Sequence, residues 1–406
     1  MTDTLLQTTH SLINWHQGSS VGYIHSSHSF RRETYHVNLT KIDADSNIDS
    51  MTNMSELRSL DYKANKCTNG LTIERKVGLA SAVKPATEIF SNIIAGVLVD
   101  KLSEKVVMVA GSFFGATVIL AFAFAPTFGV LLAARMGQAV ASSMTVVAGF
   151  ALIASVFPKG NERSHAMTVV YSSFSIAPLV GYQFGSLYEV AGQQAPFLIL
   201  VGLSVLDGIL RMMIKLPTSS ESNVRESKKE TGTLWAYFKL LNDPYLMAIL
   251  FGCFVCDTCF GIIISSSTVW VIKNFKAAQW QIGVVLAVAQ LVQVLTIKVG
   301  AAIGDTYGKW KVFFAGPWVI ATSLISYPFC RSIWETMGPH CLFRIGVGLK
   351  FSVITLIVSE IADVRHESRF GPVFGLVAAC YDLGLTTVIF LIFFPFLFSY
   401  ADEIPS

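Results

Sequence analysis

The chain has 406 residues, 52% of them hydrophobic and only 14% charged, with 30 Lys and Arg against 27 Asp and Glu. A water-soluble domain carries about 25% charged residues, so much of the charge needed for a hydrated surface is missing. A formal net charge of +3, with no basic stripe, excludes a nucleic-acid binder, and seven Cys are too sparse for a disulfide scaffold.

In chain order, residues 1–75 come first: polar, rich in His, Asp and Ser, with no apolar core of a signal peptide after Met1. Two glycosylation sequons, Asn38-Leu39-Thr40 and Asn53-Met54-Ser55, predict a luminal or extracellular tail modified at Asn38 and Asn53. A membrane helix needs about 20 mostly apolar residues. Ten such runs follow, at 79–99, 106–125, 130–156, 166–188, 196–214, 244–272, 280–303, 312–329, 341–362 and 372–398. They are continuous rather than alternating, which predicts helices and excludes barrel strands. The fold class is therefore an all-α polytopic membrane protein. The polar connection after the fifth run divides it into a first bundle (76–216), a linker (217–243) and a second bundle (244–400).

Orientation follows from Lys and Arg. One set of connections holds Lys101, Lys105, Lys159, Arg163, Lys215, Arg225, Lys228, Lys229, Lys239, Lys309, Lys311, Arg365 and Arg369; the opposite short loops hold Lys273, Lys276 and Arg331. The first set is predicted to be cytoplasmic. The tail and the last residues then lie on the far side, where the sequons are usable.

An internal repeat marks both halves. Gly96 and Asp100 lead into Lys101 and Lys105 after the first run; Gly304, Asp305, Gly308 and Lys309 follow the seventh. An Asp at a helix end, beside basic residues, can latch a neighbouring helix and release it. The alternative reading is a tight polar turn.

These loops resemble the signature of the major facilitator superfamily, with Ser103 and Glu104 standing where Gly and a basic residue are usual. Beyond them the chain is similar to the vesicular amine transporters, the monoamine and acetylcholine carriers. The similar stretches are VAGFALIASVFP (147–158), EVAGQQAPFLIL (189–200), Leu206-Asp207-Gly208, Asn242-Asp243-Pro244-Tyr245, Trp280-Gln281-Ile282-Gly283 and Ala362-Asp363-Val364-Arg365-His366. The resemblance implies a two-bundle fold and proton-coupled export of a small organic cation from cytosol into synaptic or secretory vesicles. It also implies that two of the family's twelve helices, the first and the last, are absent. A truncated gene model or isoform and a lineage without the outer helices are the two explanations.

Ionisable groups at membrane depth are costly and need a partner or a purpose. Lys84 and Glu88 are one helical turn apart. The pair reads either as a snorkelling Lys or, by the resemblance, as a link between substrate and proton sites, with Glu88 replacing a missing first-helix carboxylate. Arg135 must face a carboxylate or a wet cavity; the resemblance implies proton coupling, and the alternative is a clamp on a backbone carbonyl. Gly181 and Gly185 permit close helix packing, with Tyr182 standing where a Pro is usual. In the second half the family's acidic positions fall at Ile264, near Phe351 beside Lys350, and near Ala378; Asp257 and Asp382 are the acids actually present. Lys350 in such a place would repel an amine. Asp257 and Asp382 are candidate proton or cation sites, and Tyr381 offers a hydroxyl or a ring face.

Cys253, Cys256 and Cys259 read as packing residues rather than a metal site, and Cys330 and Cys341 are either bridged or free. No catalytic Ser/His/Asp set, phosphate loop or metal quartet occurs, so no enzyme activity and no cofactor are predicted. The expected partners are a small organic cation, protons and the lipid bilayer. Two other readings stay open: a non-transporting regulatory relative, and a carrier of another substrate, including an anion, given Lys84, Arg135 and Lys350.

Overall fold

The computed structural model describes residues 78–157, 160–191, 194–214, 237, 240–277 and 279–398. The tail with Asn38 and Asn53 lies outside these residues, as does most of the linker. Ala82–Ser406 is one compact unit; Thr2–Ser81 is another, of which the described residues include only the first turn of the first helix.

Ten long helices occupy the ten predicted runs. They are α1 (Gly78–Lys101), α2 (Glu104–Ala123), α3 (Phe128–Val156), α4 (Asn161–Ala191) and α5 (Ala195–Met213), then α6 (Pro244–Phe275), α7 (Gln279–Tyr307), α8 (Lys309–Ser326), α9 (Met337–Arg365) and α10 (Phe370–Phe398). Among the described residues, nine of them are long and apolar enough to cross a membrane; α4 is outside that set. The eighth predicted run ends differently, because Pro328 closes α8 into the 3-10 turn Tyr327–Phe329.

Local chemistry sets the helix ends. Ser103 and Thr127 each accept an N–H three residues on, at the starts of α2 and α3. Asp243 accepts the N–H of Tyr245, two residues on, at the start of α6, where Pro244 takes the first helical position. Gly308 joins α7 to α8 at a φ of 102°, where a side chain would be strained.

The surface is inverted relative to a soluble protein. Phe90, Phe251, Leu295, Trp318 and Ile325 are exposed on helix flanks; in water each would forfeit about 1.5–3 kcal/mol of burial, whereas lipid accepts them. Backbone polar groups stay within the helices, as hydrocarbon demands.

Helix α9 is the centre, with 72% of its apolar window buried, against 17% for peripheral α5. It packs on α7 and α8, while α2 packs on α3 and α5, α6 on α10, α4 on α7, and α3 on α10. The largest apolar cluster joins Val99, Val147, Ala151, Met167, Ile249, Phe313, Ile357 and Val373. All of these lie toward the helix ends that carry the Lys/Arg-rich connections, so apolar packing is concentrated at that end.

Candidate functional site

One face of α1 carries a residue every four positions: Lys84, Glu88, Asn92, Gly96 and Asp100. Residues at this spacing line one side of a helix. Lys84 Nζ meets Glu88 Oε1 at 2.5 Å. Asn92 Nδ2 donates to Asp382 Oδ2 of α10 at 2.7 Å, deep in the protein, and Glu88, one turn earlier on α1, is buried as well. Lower on the stripe the two helices touch backbone to backbone. A Cβ at Gly371 would stand 2.6 Å from the Gly96 carbonyl and 2.9 Å from Asp100 Oδ1. Tyr237 donates its hydroxyl to the Ile93 carbonyl across this contact at 2.8 Å. Glu88, Asn92 and Asp382 therefore form a polar seam between the first and last described helices, closed below by glycines.

A second polar centre joins α6 to α9. Lys350 Nζ is hydrogen-bonded and ion-paired to Asp257 Oδ1, with side chains only 2% and 3% exposed. The same ammonium lies 4.4 Å from the Phe351 ring centre and 5.5 Å from that of Tyr381. Tyr171 stacks on Phe351 at 4.9 Å. Sequence reasoning set Lys350 against an acidic neighbourhood; the structure instead makes it the partner of Asp257. Burying such a pair is tolerable only because each charge satisfies the other.

Arg135 is 3% exposed; its Nη1 donates to Gln138 Oε1 at 3.2 Å, and the guanidinium lies over Phe122 at 5.8 Å. Four residues were missed. Asn92 was legible in the four-residue spacing. Arg344, Gln293 and Ser175 were not, because their chain of contacts crosses three helices. Arg344 donates to Gln293 at 3.0 Å, and Gln293 donates to Ser175 at 3.0 Å. Arg344 also lies over the ring of Phe260 at 5.6 Å.

At the Lys/Arg-rich end several ion pairs join the helix ends. Arg163 of α4 pairs with Asp363 of α9 at 2.6 Å, both buried, and donates twice to the Phe157 carbonyl. Ser368 also donates to Asp363. Asp305 is exposed, and the contact beside it runs from Lys309 to Glu360. Lys105 caps the C-terminal end of α5 by donating to the Met212 and Ile214 carbonyls. Asp243, at the start of α6, accepts from Arg365 at 2.6 Å and faces His366 at 3.0 Å. Burial pushes its carboxyl up, but bonds from Arg365, the Tyr245 N–H and His366 outweigh that and hold it below the ordinary range. Cys253 and Cys256 are buried packing residues, and Cys330 and Cys341 are free thiols.

Residues 69–388 match the family model of the Major Facilitator Superfamily, and the chain belongs to that superfamily. It is 30% identical over 312 residues to the chromaffin granule amine transporter of Homo sapiens, covering 76% of this chain and 58% of that protein. It is 27% identical to the synaptic vesicular amine transporter of Mus musculus, over 76% of this chain and 59% of that one. For the vesicular acetylcholine transporter of Tetronarce californica the identity is 27%, over 76% and 60%. The chain thus spans about 60% of the length of the curated relatives it matches. In architecture it is similar to the crystal structure of the human organic anion transporter TETRAN, with a TM-score of 0.63 at 15% identity, covering 83% of this chain and 85% of that one.

Proposed function

We propose that this member of the superfamily is a proton-coupled secondary transporter that moves a small organic cation from cytosol into vesicles by alternating access. The observation that carries the reading is the seam of Glu88, Asn92 and Asp382, buried between α1 and α10. Two carboxylates in one low-dielectric place repel each other unless a cation or a proton sits with them. An organic ammonium arriving there releases a proton, and a proton from the acidic side releases the ammonium. Lys84 holds Glu88, and Arg135 tunes it from α3. The Lys/Arg-rich end is taken as cytoplasmic, with Arg163–Asp363 and the apolar cluster as its gate; the repeat loops with Asp100, Lys105, Asp305, Gly308 and Lys309 are hinges around it. The vesicular setting and the amine class follow the names of the relatives.

The test uses purified full chain in liposomes with an acidic interior. A labelled monoamine or choline ester should accumulate, and Asp382→Asn or Glu88→Gln should abolish accumulation while leaving the protein folded. Absence of transport by folded wild-type chain would replace this reading with the regulatory one. A second reading has its own support: Lys84, Arg135, Arg344 and Lys350 outnumber Glu88, Asp257 and Asp382 in the described helix interiors, an excess that suits an organic anion. Proton-dependent uptake of a labelled carboxylate, with none of the amines, would favour it.

A further inference from the structure

At the Lys/Arg-rich end, Asn242, Asp243, Arg365 and His366 bound an open cleft of about 380 Å³, where the start of α6 meets the end of α9. Arg365 is held there from two sides. Its Nε donates to Asp243 Oδ2 at 2.6 Å, and its guanidinium lies 4.9 Å from the centre of the Tyr245 ring. The two Nη groups make no hydrogen bond among the described residues, and the side chain stays 44% exposed. A guanidinium carries its donors in a planar fork, so most of them remain for a ligand in the cleft. The neighbouring acids are engaged: Asp243 by Arg365 and His366, Glu360 by Lys309, and Glu367 by Arg369. Lys311, exposed in the first turn of α8, has no ion pair among the described residues. That turn adjoins the cleft, because Trp310 packs edge-on against Tyr245 at 6.4 Å. On the same helix ends Tyr245, Tyr307 and Val364 are exposed, and such aromatic residues mark the boundary between membrane and water.

We propose that this cleft binds the headgroup phosphate of an anionic phospholipid from the leaflet on the Lys/Arg-rich side. The Arg365 fork takes two phosphate oxygens, Lys311 adds a second positive charge, and the acyl chains lie along the exposed apolar flanks. Lys and Arg beside a membrane attract anionic headgroups in general. What is particular here is a guanidinium that Asp243 and Tyr245 hold in one orientation, beside an open cleft. A soluble anion would use the fork alone, whereas the exposed rings and Val364 suit a ligand with a hydrocarbon part. The site lies apart from the interior seam, so it is independent of whether the chain transports.

The test titrates purified full chain, in a mild detergent, with dioctanoyl phosphatidic acid. Bound lipid is counted by native mass spectrometry, and the melting temperature is followed in parallel. Wild type should retain the lipid and melt several degrees higher at saturation. Dioctanoyl phosphatidylcholine, with the same chains and no net charge, should do neither. Arg365→Lys keeps the charge but loses the fork, and should weaken binding by about tenfold, the worth of one charge-assisted hydrogen bond. Lys311→Glu reverses a charge at an exposed position and should weaken binding several-fold. Equal binding of phosphatidylcholine would overturn the proposal. Equal stabilisation by inorganic phosphate would also overturn it, since the cleft would then be a site for a soluble anion. An unshifted midpoint in either folded variant would do the same, and should Arg365→Lys fail to fold, Lys311→Glu decides alone.

Discussion

The Arg163–Asp363 pair ties α4 to α9 at the Lys/Arg-rich end, and its removal gives a quantitative test of the proposed gate. Both side chains are nearly buried, at 7% and 4% exposure, and 2.6 Å apart. Removing one partner of a buried pair destabilises by about 3–5 kcal/mol when the other charge is stranded. Here the stranding is incomplete: Arg163 keeps two bonds to the Phe157 carbonyl and lies over the Phe370 ring. Asp363→Asn also retains an amide oxygen as acceptor. The loss then approaches that of one charge-assisted hydrogen bond, about 2 kcal/mol. That is roughly a 30-fold shift in the ratio of sealed to open states. The assay is a single Val99→Cys reporter, at a position wholly buried beside Gly371, in a background whose native cysteines are replaced. Its labelling by an impermeant maleimide from the Lys/Arg-rich side should accelerate by about that factor. An apolar exchange, Arg163→Met with Asp363→Leu, should return it toward the wild-type rate. Unchanged labelling in Asp363→Asn would refute the gate and leave the pair a static brace.

The helices were legible because apolar runs of sufficient length can do little else in a bilayer, and the ten long helices among the described residues fall on predicted runs. What the runs could not fix was which faces meet. Lys84 and Glu88 were found as a pair because the helix itself enforces their spacing. Asp257, Asp382 and Arg135 were found because a charge in an apolar run is conspicuous. Their partners were harder. Lys350 is 93 positions from Asp257 and Asn92 is 290 from Asp382, and no local pattern relates them. Lys350 was read as an intruder because the comparison was position by position, whereas a buried charge is judged by what packs against it. The Lys/Arg-rich end shows the same limit: the repeat pointed to Asp100 and Asp305, of which the fold leaves Asp305 exposed, while the buried Arg163–Asp363 pair joins two helices that no local pattern relates.

Further outcomes follow from the same contacts. Gly371→Ala should hold α10 off α1, because its Cβ would stand 2.6 Å from the Gly96 carbonyl; labelling of the Val99→Cys reporter should rise, and an unchanged rate would remove the glycine contact from the gate. Asn92→Leu should strip Asp382 of its donor and lower the melting temperature by the equivalent of about 1.5–3 kcal/mol, whereas a neutral result would place Asp382's support elsewhere. Asp243→Ala removes both the N-cap of α6, worth about 1 kcal/mol, and the bonds to Arg365 and His366. Because the folded carboxyl lies below its unfolded value, its contribution is fully present above the ordinary aspartate value of about 3.9 and is lost as pH falls through the lower folded value. The gap in melting temperature between wild type and Asp243→Ala should therefore stay constant from about pH 7 to pH 5 and narrow only below about pH 4. A gap that already closes near neutral pH would mean that the Asp243 carboxylate is not the group holding α6 to the end of α9.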